Sequence, residues 1–82
     1  SETDNFKNIA KDLASLGEIK AKLMASKELN SLNFSVDVVN NIAYISGIAS
    51  SEEEMSLVTK IAQDARFIEG VENFVKVNKD KR

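Results

Sequence analysis

The chain has 82 residues, 43% of them hydrophobic and 29% charged, with a formal net charge of −2 and no Cys, His, Pro or Trp. That composition excludes disulfides and thiolate chemistry, strips a zinc site of its preferred ligands, and removes the commonest general base near neutral pH. The acidic balance also argues against nucleic acid as a partner, because phosphate contacts call for a basic excess.

The length is that of one domain with a modest core, about 60% of the unfolded surface being hidden at this size. The chain starts Ser1-Glu2-Thr3-Asp4, with no signal-peptide core and no apolar run near the ~18 residues of a membrane span. A removed leader or a trimmed start is the expectation. No repeat, linker or low-complexity segment is visible.

The first third reads as helix. Phe6, Ile9, Leu13 and Leu16 recur at steps of three and four, which puts them on one face. They also fit heptad a and d positions, but Lys20 and Lys27 take the next a positions, so local packing is expected rather than a coiled coil. Gly17 predicts a kink or break, since Gly is worth about 1 kcal/mol less than Ala inside a helix. Glu18 and Lys22 form an i, i+4 pair.

Residues 30–33 (Asn-Ser-Leu-Asn) end the helical pattern. Phe34, Val36 and Val38 then alternate with polar residues, as in a half-buried strand. Asn40-Asn41 suits a tight hairpin because Asn tolerates positive φ. The second strand, residues 42–48, is apolar on both parities, so one face alone does not account for it.

Ser50 to Glu54 is a helix start, with Ser51 and Glu54 as a capping box and three carboxylates where the helix dipole favours them. Met55, Val58, Ile61, Ala62 and Ala65 mark its buried face. The pattern fails around residues 67–70, and residues 71–77 form a last strand. Acids dominate residues 51–72, whereas Lys76, Lys79, Lys81 and Arg82 make a basic end read as a solvated tail.

From about Glu18 to Val77 the chain resembles the BON domains, small bacterial modules of osmotic-stress periplasmic and nodulation proteins. The resemblance rests on four pieces in order: the helix stub at 18–23, the strand Asn33 to Val38, the return Asn41 to Ile48 with Ser46-Gly47 as the strand-ending glycine, and the acidic helix start with Ile61-Ala62, followed by Gly70-Val71 and a closing strand. Asn41 stands where the family carries Gly. In the last strand Phe74 lies on one parity and Val75 and Val77 on the other, with Lys76 and Asn78 in the family's apolar slots, which leaves its register open. The resemblance implies an α+β fold of order αββαβ: a three-stranded mixed sheet with two helices on one face. Its domain would be residues 17–78, with 1–16 a helical extension and 79–82 a basic tail.

It also implies a non-catalytic cell-envelope binding module, periplasmic or outer-membrane-associated, attached to phospholipid surfaces or envelope proteins and often part of a lipoprotein. No cofactor or metal is implied. The carboxylates of Glu52, Glu53 and Glu54 are accounted for by the helix start, and neither a phosphate loop nor a Ser-His arrangement is present. Lys20, Lys22 and Lys27 are the candidates for weak anionic-lipid binding, each Lys adding about 1 kcal/mol near such a surface. Lys7, Lys11 and Lys22 fall on one stripe if the helix is continuous; the opposing interpretation is a solvated helix face interleaved with Glu18 and Asp12.

Ile42, Tyr44 and Ile48 are candidates for a partner face, because helices cover one side of the sheet only. A lid from the segment around Phe6, a second copy in a weak homodimer, or another domain would cover it. The rival readings are a structural or oligomerisation domain of a larger or lipid-anchored protein and, more remotely, a small-ion sensor.

Overall fold

The structure, a computed structural model, describes residues 2–78, with side chains from residue 5 onward; the basic tail at 79–82 lies outside the described residues. Helix α1 spans Glu2–Ala25, a 3-10 turn Ser31–Asn33, β1 Phe34–Val39, β2 Ile42–Ala49, α2 Glu52–Gln63 and β3 Gly70–Val77. This is the αββαβ order read from the sequence. The sheet order is β1-β2-β3, antiparallel between the first two strands and parallel between the last two. Both helices lie on one face of this mixed sheet.

The core forms where the apolar parities meet. Ile19 and Leu23 of α1, Val58 and Ala62 of α2, and Phe34, Val38, Ala43, Ile45 and Ala49 of the sheet are buried. Each large side chain so enclosed contributes roughly 1.5–3 kcal/mol. Ser15 is the one buried polar residue among those described. Its hydroxyl donates to the Arg66 carbonyl beyond α2 and also lies 3.0 Å from the Lys11 carbonyl, so a small polar side chain fills the helix–helix approach.

Three expectations for α1 are overturned. The helix runs through Gly17 without a break. No atom comes within 4 Å of where a Cβ on Gly17 would sit, so nothing forces the backbone to depart there. The face bearing Phe6, Ile9 and Leu13 does not pack inward; all three are exposed and only Leu16 reaches the core. The inward face is set by Ile19 and Leu23, and one turn earlier it is Ser15 that meets α2's end. The helix also stops at Ala25, before the predicted end, where the Ser26 N–H closes onto the Lys22 and Leu23 carbonyls.

The hairpin turn holds Asn40 at φ 50 and Asn41 at φ 68. Two consecutive positive φ values are what a two-residue turn of the right twist demands. Gly47 has φ +139, and a Cβ there would sit 2.1 Å from the Asn33 carbonyl oxygen. The strand therefore needs glycine for both conformation and clearance. Ser51 caps α2 by accepting the Glu54 N–H at 3.1 Å, while Glu54 turns back to the Ser50 N–H at 2.8 Å.

The register left open for β3 is now fixed. Val71, Asn73, Val75 and Val77 are level with Ala43, Ile45, Gly47 and Ala49 and share the helix side, whereas Phe74 and Lys76 face away. Asn73 is the polar exception, and its amide donates to Thr59 Oγ1 of α2 at 2.8 Å.

Candidate functional site

Lys20 and Lys22 are two positions apart on a helix, and two steps of about 100° put them on different faces. Lys22 binds the Glu18 carboxylate at 2.9 Å. Lys20 is exposed and makes no ion pair among the described residues. Lys27 is exposed in the turn after α1. The structure thus does not gather the three lysines into one patch.

What Lys20 does border is a cleft of about 420 Å³ between the C-terminal half of α1, the 3-10 turn and β1. Leu23, Phe34 and Val36 line it, and the exposed Met24 and Leu32 stand at its rim. Leu32 is 90% exposed, an unusual position for a Leu in a folded domain. The turn that carries it is held by Asn30, whose side chain accepts the Leu32 N–H at 3.0 Å. Leu32 and the cleft were missed in the sequence, because Asn-Ser-Leu-Asn reads only as a helix stop.

On the other side of α1, Lys7, Lys11 and Lys22 share a stripe now that the helix is continuous. Lys11 lies 5.6 Å from the centre of the Phe67 ring, a cation–π contact. Glu18 accepts from Lys22 and from both the backbone N–H and the guanidinium of Arg66, at 2.9, 3.2 and 2.9 Å. Those bonds, the Lys22 one first, hold the Glu18 carboxyl down to about 2 from its ordinary 4.5. On this basic side Lys11 and Lys22 are thus committed to internal contacts.

The open sheet face is arranged as the parity predicted. Ile42, Tyr44 and Ile48 point away from the helices; Tyr44 and Ile48 are exposed and Ile42 is half-buried. Phe74 of β3 joins them through its pairing beside Ser46. The segment around Phe6 does not cover this face, because α1 lies on the opposite side of the sheet. Both edge strands carry a local block. The Val38 N–H is taken by Asp37 Oδ1 at 2.9 Å and the Val75 N–H by Asn73 Oδ1 at 2.8 Å, which discourages addition of a further strand.

No described helix is long and apolar enough to cross a membrane. Among the described residues no group of three or more acids is placed to hold a metal ion.

The profile of the BON domain matches residues 11–79. The chain belongs to the BON domain family. BON domains form a family of non-catalytic binding domains. The match starts inside α1, at residue 11. A relative from Anaplasma centrale, described as an uncharacterized protein in the gshII 5′ region, is 31% identical over 76 residues. The alignment takes in 93% of this chain and 50% of the relative, so this BON domain spans about half the length of the curated protein it matches.

Proposed function

We propose that this BON domain is an attachment module of the cell envelope that docks on anionic phospholipid surfaces, in a periplasmic or outer-membrane-associated setting. The observation that carries the reading is the apolar cleft beside α1, rimmed by Met24, Leu32 and the unpaired Lys20. Apolar side chains at a rim enter the headgroup boundary, and a neighbouring ammonium meets lipid phosphate. Lys27, in the turn after α1, is not among the residues that line the cleft, and Lys22 is bound to Glu18, so Lys20 is the cation the reading rests on. At about 1 kcal/mol per Lys the binding is weak and salt-sensitive.

Vesicle co-sedimentation at low salt tests it. Anionic vesicles bring the protein down, zwitterionic ones do not, and Lys20→Glu and Leu32→Asp each weaken binding. Equal binding to both vesicle types would falsify the reading.

A second reading concerns an envelope protein as partner. Tyr44, Ile48 and Phe74 form an apolar cluster on the open sheet face, and such clusters mark contact surfaces. The surface fits an accessory domain packed against another part of a longer protein. Chemical-shift mapping separates the two: lipid moves resonances around Lys20 and Leu32, whereas a protein partner moves those of Tyr44 and Phe74.

A further inference from the structure

The N-terminal half of α1 carries a second surface. Phe6, Ile9 and Leu13 are 71%, 56% and 64% exposed. They lie at the start of α1 rather than beside the Lys20 cleft, and Phe6 and Ile9 precede the BON-matched segment. Neither the core nor the lipid reading uses them.

We infer that this stripe pairs with its own copy: two chains dock through an antiparallel seam between their α1 helices. The spacing of Phe6, Ile9, Leu13 and Leu16 is that of a and d positions. The next position on the C-terminal side is Lys20, and the preceding one on the N-terminal side is Glu2. Within one helix these charges end the apolar seam. In an antiparallel pair each a layer meets a d layer of the other copy, so Phe6 stands opposite Leu16, Ile9 opposite Leu13, and the helix end bearing Glu2 opposite the one bearing Lys20. A parallel pair would set Lys20 against Lys20 and is disfavoured by like charge.

The fold supplies a receptacle for the largest side chain. A cleft of about 260 Å³ lies between α1 and β1, lined by Leu13, Leu16, Val38 and Val39 among others. Phe6 of one copy is placed by this register at Leu16 of the other, where that cleft opens. A two-fold axis then makes the contact twice, as a self-complementary interface requires. Two acids line the cleft, and both are engaged: Asp12 accepts two backbone N–H groups of the hairpin turn, and Asp37 Oδ1 accepts the Val38 N–H. Four side chains per copy span two heptads, short of the three to four of a sustained coiled coil, so the dimer is weak and concentration-dependent.

Sedimentation velocity on the full chain across a wide concentration range tests the pairing. The expected result is a monomer–dimer equilibrium whose Kd rises about tenfold or more in Phe6→Glu, a substitution at an exposed site that leaves the core untouched. Because the chain has no Cys, orientation is read from two single variants, Ile9→Cys and Leu13→Cys. Mixed and oxidised, they give the mixed disulfide faster than either symmetric one, since only facing positions meet bridging geometry. A strict monomer at millimolar concentration overturns the proposal. So does a dimer that survives Phe6→Glu but is lost in Tyr44→Glu, which would move the interface to the open sheet face. Preferential self-linkage of Ile9→Cys overturns the antiparallel register.

Discussion

Asp12 in α1 accepts the backbone N–H of Asn41, in the β1–β2 turn, at 2.8 Å. Its other carboxylate oxygen takes the Asn40 N–H at the same distance. One helical side chain therefore satisfies both amides of the turn and ties it to the helix across 28 residues of chain. The Asn41 side chain extends the tie by donating to the Phe67 carbonyl at 2.7 Å. Helix, hairpin and the segment after α2 thus meet at one corner.

Removing that carboxylate leaves two turn amides to water. Asp12→Ala is expected to lower stability by about 1–2 kcal/mol, because charge-assisted bonds are the stronger kind but these are partly solvated. Asp12→Asn retains one acceptor and loses less. Urea unfolding with an unchanged m-value checks the ranking, and equal stability of all three proteins contradicts it.

Glu18 gives a pH signature. Its carboxyl is held at about 2 against an ordinary 4.5, chiefly by Lys22 and Arg66. A depressed folded-state value means the contribution is fully present above about 4.5 and is lost as the pH falls toward 2. Glu18→Gln should flatten the acid limb of the stability–pH curve in that window and leave the neutral region's slope unchanged. High salt reduces the difference, since the pair is reached by solvent. An identical acid limb in both proteins contradicts the assignment.

Gly47→Ala sets a Cβ against the Asn33 carbonyl oxygen at 2.1 Å and Phe34 Cα at 2.9 Å. Both are backbone atoms, and neither yields by a rotamer change. Added to the strain of positive φ at a non-glycine residue, the cost is about 3 kcal/mol or more. Thermal unfolding is expected to show a large drop in Tm, or no cooperative transition; a Tm within a degree of the parent rules the argument out.

Gly17→Ala has the opposite sign. The helix is continuous there and a Cβ meets open space. The substitution is expected to stabilise by roughly 0.5–1 kcal/mol, mostly by restricting the unfolded chain, which for a domain this size raises Tm by a few degrees. Any destabilisation would show that α1 does bend at this point.

Local spacing carried most of the fold. The alternation of Phe34, Val36 and Val38, the Asn40-Asn41 turn and the Ser51 cap each specify their element within a few residues, and the structure has them all. Because β2 is apolar on both parities, its alternation separated Ala43 and Ile45 from Tyr44 and Ile48 without saying which set faces inward; the helices bury the first set. The site was less legible. Lys20, Lys22 and Lys27 look alike as letters, yet Lys22 is bound to Glu18, whose second partner, Arg66, is 48 residues away. The cleft beside Lys20 is shared by α1, the 3-10 turn and β1, elements that come together only in the fold.

The sequence by itself determined the order of elements, the hairpin turn and the lack of any thiol or imidazole chemistry, because these depend on near neighbours or on composition. The tertiary structure decided which side of α1 faces inward and where β3 lies in register. Helical periodicity defines a stripe but not its direction; the sheet sets the direction by accepting Ile19 and Leu23 and leaving Phe6, Ile9 and Leu13 in solvent. In β3 the pairing with β2 is long-range, and the bond from Asn73 to Thr59 makes a polar residue acceptable on the covered side.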